Sequence, residues 1–373
     1  MGGEVGPAAF GLPAPDRPLM GVGGRGLDLQ AAFEGCIGEA AQYLSFLEWG
    51  DEALYRAAPA EAPLSRSDTG DWVLAAIGLE RESSDQEVPL EWIEAQRLGA
   101  SGALPIPADL CLRREPPAGG PVTRRAESNG CATGPTLEAA QRAALLELIE
   151  RDAVALWWYG GRAAPSLALE PRAQRVLADF SESLRASASR RHWLLDITTD
   201  IAVPAVAALS CDEEGAAVIG GFSADPDPLV AARGALLEMC QMELALDLVQ
   251  LKIEQRGQEA LNDGDRLHLE RLQRLRLEAY PLLSPAEGDR EAGRSARSGA
   301  AGELSSILAA IEAAGFEAYW IDLSRAELAV PAVRVLVPGL QSPKPDWVSG
   351  RLRDTAIAAG VAEAERRELP PII

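Results

Sequence analysis

Histidine is nearly missing from this chain, with two in 373 residues. His192 and His268 lie far apart in the sequence with no evident nucleophile beside them, so a Ser/His/Asp relay has no support. The five cysteines, Cys36, Cys111, Cys131, Cys211 and Cys240, form no C-x-x-C pair. That spacing excludes a zinc site of the usual kind and predicts reduced, mostly buried thiols. No apolar run reaches the roughly 18 residues of a membrane-spanning helix. The opening "MGGEVGPAAFGLPAPDRPLM" lacks the basic-then-apolar layout of a signal peptide, and a cytoplasmic location is expected. Basic residues are also scarce, 35 Lys and Arg against 56 Asp and Glu, a net charge of −21. A nucleic-acid or anionic-membrane partner needs the opposite balance, so neither is expected.

Apolar residues make up 47% of the chain, ample for a real core. Residues 1 to about 22 are rich in Gly and Pro and read as loop. "GLDLQAAFEGCIGEAAQYLSFL" (26–47) has helical periodicity, and "DWVLAAIGLE" (71–80) reads as a strand. A Pro- and Arg-rich stretch, 104–125, leads to "SNGCATGPT" and a helix beyond it. Strands follow in 192–212 and 215–225, then a long helical tract over about 228–278 and the charged loop "SPAEGDREAGRSARSGAAG". A helix near 303–314 and strands in "GFEAYWIDLS" and "AVRVLVPGLQ" close the pattern. Such mixing predicts an α/β or α+β class. The expected organisation is a flexible segment over 1–20, one domain over 21–366 and a Pro-containing tail over 367–373.

The chain repeats one helix design three times. Placing Glu39, Glu147 and Glu238 in register aligns "LQAAFEGCIGEAAQ", "LEAAQRAALLELIE" and "LVAARGALLEMCQ". Three residues after each glutamate stands a polar side chain: Gln42, Glu150 or Gln241. Four and seven residues before it stand only small ones: Gly35 and Ala32, Ala143 and Ala140, Gly234 and Ala231. At about 100° per residue these offsets share one stripe, so each helix shows two polar heads beside a shallow strip. Small residues at such spacing often do no more than permit close packing, and a glutamate beside an arginine is often a surface ion pair. The threefold recurrence favours a strip against which something lies. Paired carboxylates or carboxamides are hard oxygen ligands suited to Mg2+ with phosphate oxygens completing its shell. Arg151, next to Glu150, is placed to face a phosphate or pin a carboxylate.

The stretch "SNGCATGPTLEAAQRAALLELIERDAVALWW" resembles the central signature of the YcaO family. Segments corresponding in order are "GRGLDLQAAFEGCIGEAAQ", "LLDITTDIAVPAVAAL", "DPLVAARGALLEMCQ" and "AVRVLVPGLQ", so the resemblance covers about residues 20–345. It implies an α+β fold of mixed β-sheets flanked by helices, with ATP and Mg2+ bound by helix-borne glutamates. It implies an enzyme that phosphorylates a peptide-backbone amide oxygen, after which a Cys, Ser or Thr side chain or an external sulfur nucleophile attacks the carbonyl carbon. Loss of phosphate then leaves a thiazoline, an oxazoline or a thioamide. By the same resemblance, Glu147, Glu150 and Arg151 are the catalytic residues. Glu39, Glu147 and Glu150 bind the metal, and Arg25, Glu39, Gln42, Glu238 and Gln241 contact the nucleotide.

Several positions depart from the family pattern. Gly35 stands where a serine is typical, Gln42 and Tyr43 where glutamate and arginine are, Pro135 for an asparagine, and Gln341 after "PGL" for a glutamate. Ala139 aligns with the usual acid, and Glu138 precedes it. Three functions therefore remain open. One is azoline formation on a ribosomally made precursor peptide with a leader-binding, adenylating-enzyme-like partner. Another is thioamide formation with a TfuA-like partner, and the third is a non-catalytic subunit. A homodimer is also implied. The tail "ELPPII" weakly echoes a Pro-rich end found in azoline-forming relatives. "GVGGRG" (21–26) satisfies G-x-G-x-x-G, but no apolar strand precedes it, which argues against a dinucleotide site. Trp157 and Trp158 read as core or interface residues in preference to a stacking platform.

Overall fold

The computed structural model describes residues 1–13, 18–62, 64, 68–79, 87–115, 123–124, 126–185, 189–286, 303–342 and 348–372. In chain order the elements are β1 (Gly2–Val5), β2 (Met20–Gly23), α1 (Leu29–Phe46), β3 (Tyr55–Ala57), α2 (Asp68–Ala76), β4 (Leu90–Arg97) and β5 (Ala103–Pro107). Next come α3 (Ala108–Cys111), β6 (Cys131–Thr133), α4 (Leu137–Trp158), α5 (Pro171–Arg185), β7 (Arg191–Asp196), β8 (Ala205–Cys211) and β9 (Ile219–Ala224). The remainder are α6 (Pro228–Arg256), α7 (Asp263–Arg274), α8 (Leu304–Ala313), β10 (Tyr319–Asp322), β11 (Ala332–Leu336), α9 (Gly350–Ala359) and α10 (Glu363–Glu368). The named strands pair antiparallel, so the class is α+β. The chain divides into two compact units, residues 1–148 with 303–340 and residues 149–302 with 341–373.

In the first unit a six-stranded sheet runs β3-β4-β10-β11-β6, with β5 also paired to β4. Its core gathers Trp92, Ile106, Val73, Ile77 and Cys111, none of them exposed. Of residues 71–80, expected as a strand, 71–76 form the greater part of α2 instead, and residue 80 lies outside the described residues. Val73, Leu74 and Ile77 are buried while Asp71 is exposed, a helical period that the unbroken apolar run conceals. Gly78 at φ +83° ends it, with the Leu79 amide donating to the Leu74 carbonyl. The expected loop over residues 1–22 is also corrected: Gly2–Val5 pairs with Met20–Gly23. The glycines of "GVGGRG" thus sit at the end of an antiparallel strand, which does not make the parallel βαβ unit of a dinucleotide fold.

The second unit is a three-stranded sheet, β7-β8-β9, covered by α5 and α6. β8 is buried at every position because it is the central strand of the three. The single helical tract expected over 228–278 is broken. Gly257 at φ +80° caps α6, and Asn262 starts α7 with a capping box to Asp265. Trp157 and Trp158 are fully buried, as core residues. The Trp158 indole donates to the Pro370 carbonyl at 2.8 Å, and Ile372 is buried, so the tail is anchored within this unit. The charged loop over 284–302 falls, from residue 287 on, outside the described residues.

Candidate functional site

Each repeated glutamate is tied to a backbone amide in, or just before, the strand that precedes its helix. The Gly23 amide donates to Glu39, the Gly130 amide to Glu147 at 3.0 Å, and the Phe222 amide to Glu238 at 2.8 Å. The sequence separations are 16, 17 and 16 residues, so the repeat is a strand-and-helix unit, larger than a helix stripe. A carboxylate has about four lone-pair sites, and one amide bond leaves capacity for further partners.

The small residues find their explanation in the same units. A Cβ on Gly24 would stand 1.9 Å from the Ala32 carbonyl oxygen, and one on Gly221 would stand 2.1 Å from the Met239 nitrogen. On Gly134 it would meet the Ala140 nitrogen at 2.7 Å. A Cβ on Gly35 would stand 3.3 Å from Gly24 Cα, and one on Gly234 would stand 2.5 Å from Ser223 Oγ. In α1 and α6 the strip therefore receives the protein's own preceding strand, and the expectation that it stands open for something else is corrected there. In α4, Ala140 is buried under Gly134 while Ala143 stays exposed. The glycines of "GVGG", "NGCATG" and "IGGF" were the overlooked signal, since each group precedes its glutamate by a similar distance.

In the first unit, β6 serves two helices. Thr133 donates its hydroxyl to the Gly38 carbonyl at 3.0 Å, beside Glu39. Gly130, just before the strand, holds Glu147. Arg25 follows β2, its backbone nitrogen 3.6 Å from where a Gly35 Cβ would lie, one turn before Glu39. Glu39 and Arg25 are exposed, and Gln42 and Glu147 are partly buried. Within this unit, α1 with Glu39 and Gln42 packs on β6, Glu147 is held at the turn before β6, and Arg25 follows β2, which packs on α1.

The second unit carries the rest. Glu150 and Arg151 form a 3.6 Å pair, their side chains 12% and 18% exposed. Along α4, Glu150 lies one turn beyond Glu147 on the same face. Trp157 packs on the Phe222 ring and the Phe222 amide holds Glu238, so α4 and α6 each reach β9 at this residue within this unit. Gln241 is exposed, one turn past Glu238.

Among the described residues no three Asp, Glu, His or Cys groups form a cluster able to hold a metal alone. The donor set suits an ion that takes part of its shell from a phosphate: oxygen ligands only, with Glu39 and Glu147 oriented by backbone amides and Glu150 by Arg151. Thiolate ligation is disfavoured, since burial pushes the Cys111 thiol up to about 12 and raises that of Cys131. The other cysteines are free thiols too, all but Cys240 buried.

Two departures from the family pattern acquire physical reasons. A side chain on Gly35 would press on the β2–α1 connection. Gln341 is buried, and its amide group both donates to the Ser342 carbonyl and accepts from the Ser349 amide, a double role that a carboxylate does not fill. His192, for which the sequence offered no partner, shares a 2.8 Å hydrogen bond with Ser181, and burial lowers its pKa. Beside them Arg185 pairs with Glu243 at 2.5 Å.

The sequence profile of the YcaO cyclodehydratases, described as ATP- and Mg2+-binding, matches residues 23–341. An uncharacterized protein of Methanothermobacter thermautotrophicus is 30% identical over 286 residues, covering 73% of this chain and 72% of its own length. An uncharacterized protein in the tfuA 3′ region of Rhizobium leguminosarum bv. trifolii is 27% identical over 254 residues, 64% of this chain and 58% of that protein. A heterocyclase solved in complex with substrate and cofactor superposes with a TM-score of 0.76 at 25% identity, over 93% of this chain and 49% of that one. The chain thus spans about half the length of that heterocyclase. With a profile match over most of its length and the same fold as a heterocyclase, the chain belongs to the YcaO family.

Proposed function

We propose that this chain is an ATP-dependent enzyme that phosphorylates a backbone amide oxygen of a ribosomally made peptide and so forms azoline rings from Cys, Ser or Thr. The observation that carries the reading is the α4 copy of the repeat, the one with acids at both polar positions and an arginine beside them. The heterocyclase likeness supports the azoline product over other amide chemistry.

Glu39, Glu147 and Glu150 are the residues to hold Mg2+. When bound, the ion offsets charge on the transferring phosphoryl group. The chain's own contribution is orientation. Backbone amides of Gly23 and Gly130 fix the Glu39 and Glu147 carboxylates, and the Phe222 amide fixes Glu238. Arg151 lies against Glu150 and adds a cation beside it. Arg25, Gln42, Glu238 and Gln241 are assigned to nucleotide contact. A separate leader-binding, adenylating-enzyme-like protein is the partner in this reading.

The relative named for the tfuA region favours a second reading, thioamide formation with a TfuA-like partner. Mass spectrometry of the cognate precursor, treated with chain, partner and ATP, separates the readings. Loss of one water mass per modified residue supports azoline formation; the gain of an oxygen-to-sulfur exchange supports the thioamide. An unchanged peptide with no ATP consumed overturns both and leaves the non-catalytic subunit.

A further inference from the structure

One residue after Arg151, α4 carries a carboxylate that the repeat does not explain. Asp152 has no exposed surface. Its Oδ1 accepts from the Gln341 amide at 3.0 Å, and Arg351 Nε reaches Oδ1 and Oδ2 at 3.2 and 3.0 Å. The two terminal nitrogens of Arg351 fork onto Asp200 in the β7–β8 connection. Gln341 in turn accepts from the Ser349 amide, and Ser349 Oγ caps α9 at the Leu352 amide. One buried carboxylate thereby joins α4, the segment at Gln341, the start of α9 and, through Arg351, the β7–β8 turn.

Such a network is a poor investment if stability alone is at stake. Taking a carboxylate and a guanidinium out of water costs several kcal/mol per ion, and well-packed apolar replacements are often as stable or more so. What it supplies is direction: the Arg351 Nε–H shared between both Asp152 oxygens and the Gln341 backbone amide fix the carboxylate in one orientation, while the terminal nitrogens of Arg351, forked onto Asp200, hold the guanidinium in place. On a helix, Asp152 points roughly 200° away from Glu150 and 100° from Arg151. The clamp therefore grips the back of the turn whose front bears Glu150 and Arg151.

We propose that Asp152, gripped by Arg351 and the Gln341 amide, is a positioning residue that sets the roll of the α4 turn carrying Glu150 and Arg151. The inference rests on the assignment of Glu150 and Arg151 to the ATP and Mg2+ site. Changing a partner hydrogen-bonded to a metal ligand typically costs about 10- to 100-fold in metal affinity, and a clamp acting one step further back, through the helix turn, is expected at the lower end of that range.

The test compares Asp152→Asn, the apolar pair Asp152→Leu with Arg351→Met, and Glu150→Gln as reference. Two quantities are measured in each: the melting temperature, and calorimetric binding of a non-hydrolysable ATP analogue with Mg2+. The expected result is about tenfold weaker binding in both clamp variants, with the apolar pair melting at or above the parent temperature. That separation of binding from stability is one that a purely structural pair does not produce. Analogue affinity at the parent level in Asp152→Asn overturns the proposal. So does a loss of binding in the apolar pair that only tracks a fall in melting temperature, provided Asp152→Asn keeps parental affinity. If Glu150→Gln weakens binding and Asp152→Asn does not, the positioning role fails while the site assignment stands. If neither weakens it, both fail.

Discussion

Helices α1 and α4 hold the same glutamate in the same way, yet they differ in what surrounds it. Glu39 is exposed and followed by Gln42; Glu147 is partly buried and followed by Glu150, which is only 12% exposed. From Asp152 to Gly160 every residue of the α4 stretch is buried, whereas α1 keeps Phe33 and Ile37 in solvent. The tether to a strand amide is thus a common scaffold, and the difference lies in how much charge is packed where water is scarce. Charges act more strongly on a bound ion there, since the local dielectric is lower. Under the proposed function, the α4 copy is the one expected to contribute most to phosphoryl transfer.

The largest expected effect tests that asymmetry. Glu147→Gln and Glu150→Gln should each lower ATP turnover on the order of 100-fold, while Glu39→Gln lowers it by roughly a tenth of that factor. Steady-state ATP hydrolysis by each variant with partner and precursor checks the ranking. A Glu39→Gln loss equal to or larger than the other two would break the contrast, and unchanged rates in the α4 variants would remove the site.

The scaffold half of the comparison is tested through glycine. Gly24→Ala and Gly221→Ala each drive a methyl group into backbone atoms of the facing helix, at 1.9 and 2.1 Å, and backbone cannot swing aside. Each should destabilise by about 1–3 kcal/mol in urea unfolding, as overpacking does. Gly35→Ala, whose nearest contact is 3.3 Å, should cost less than either. Equal losses at all three positions would mean that close strand approach is not what the small residues serve.

How much of this was legible follows the range of each interaction. The polar stripe could be read because its positions lie within two turns of one helix. The strand amides that tie it down were not read, since a glycine group 16 residues upstream carries no periodic signal of its own. At residues 71–80 the run "WVLAAI" fits a buried strand as well as a helix, and its alanines and the Gly78 stop decided for helix. In the tract 228–278 the break was written in Gly257 and Asn262, and the continuing apolar pattern on both sides masked it. The Asp152 clamp was beyond reach, because Arg351 stands 199 residues away and only the folded chain brings it near.

A smaller effect concerns pH, where two carboxylates sharing Arg351 titrate in opposite senses. The Arg351 hydrogen bond lowers the pKa of Asp200, and burial raises that of Asp152 despite Arg351. Asp200 therefore adds stability above the unfolded carboxylate pKa, and loses it as pH falls through its lowered value. Asp152 runs the other way: its contribution is present below the unfolded pKa and fades as pH rises through its raised one. The Asp200 side chain is 59% exposed, so solvent screening limits its share to about 0.5–1 kcal/mol. Asp200→Asn should be less stable than the parent near neutrality and converge on it in strong acid, as followed by urea unfolding across pH. A gap that persists unchanged into strong acid would show that its charge is not the source.

The smallest effect on folding belongs to Gln241, and for that reason it isolates binding from packing. Its side chain is exposed, one turn beyond Glu238, on a part of α6 whose buried face is made by Ala235, Leu236 and Met239. Gln241→Ala removes no core contact of that face, so stability should stay within about 0.5 kcal/mol of the parent. If the α6 copy of the stripe contacts nucleotide, the same variant should raise the ATP KM several-fold while kcat changes less. Glu238→Gln is a poorer probe, because it also replaces the acceptor of the Phe222 amide and so mixes scaffold with binding. An unaltered KM in Gln241→Ala would confine the nucleotide contacts to α1 and α4, and α6 would then keep its glutamate for the strand alone.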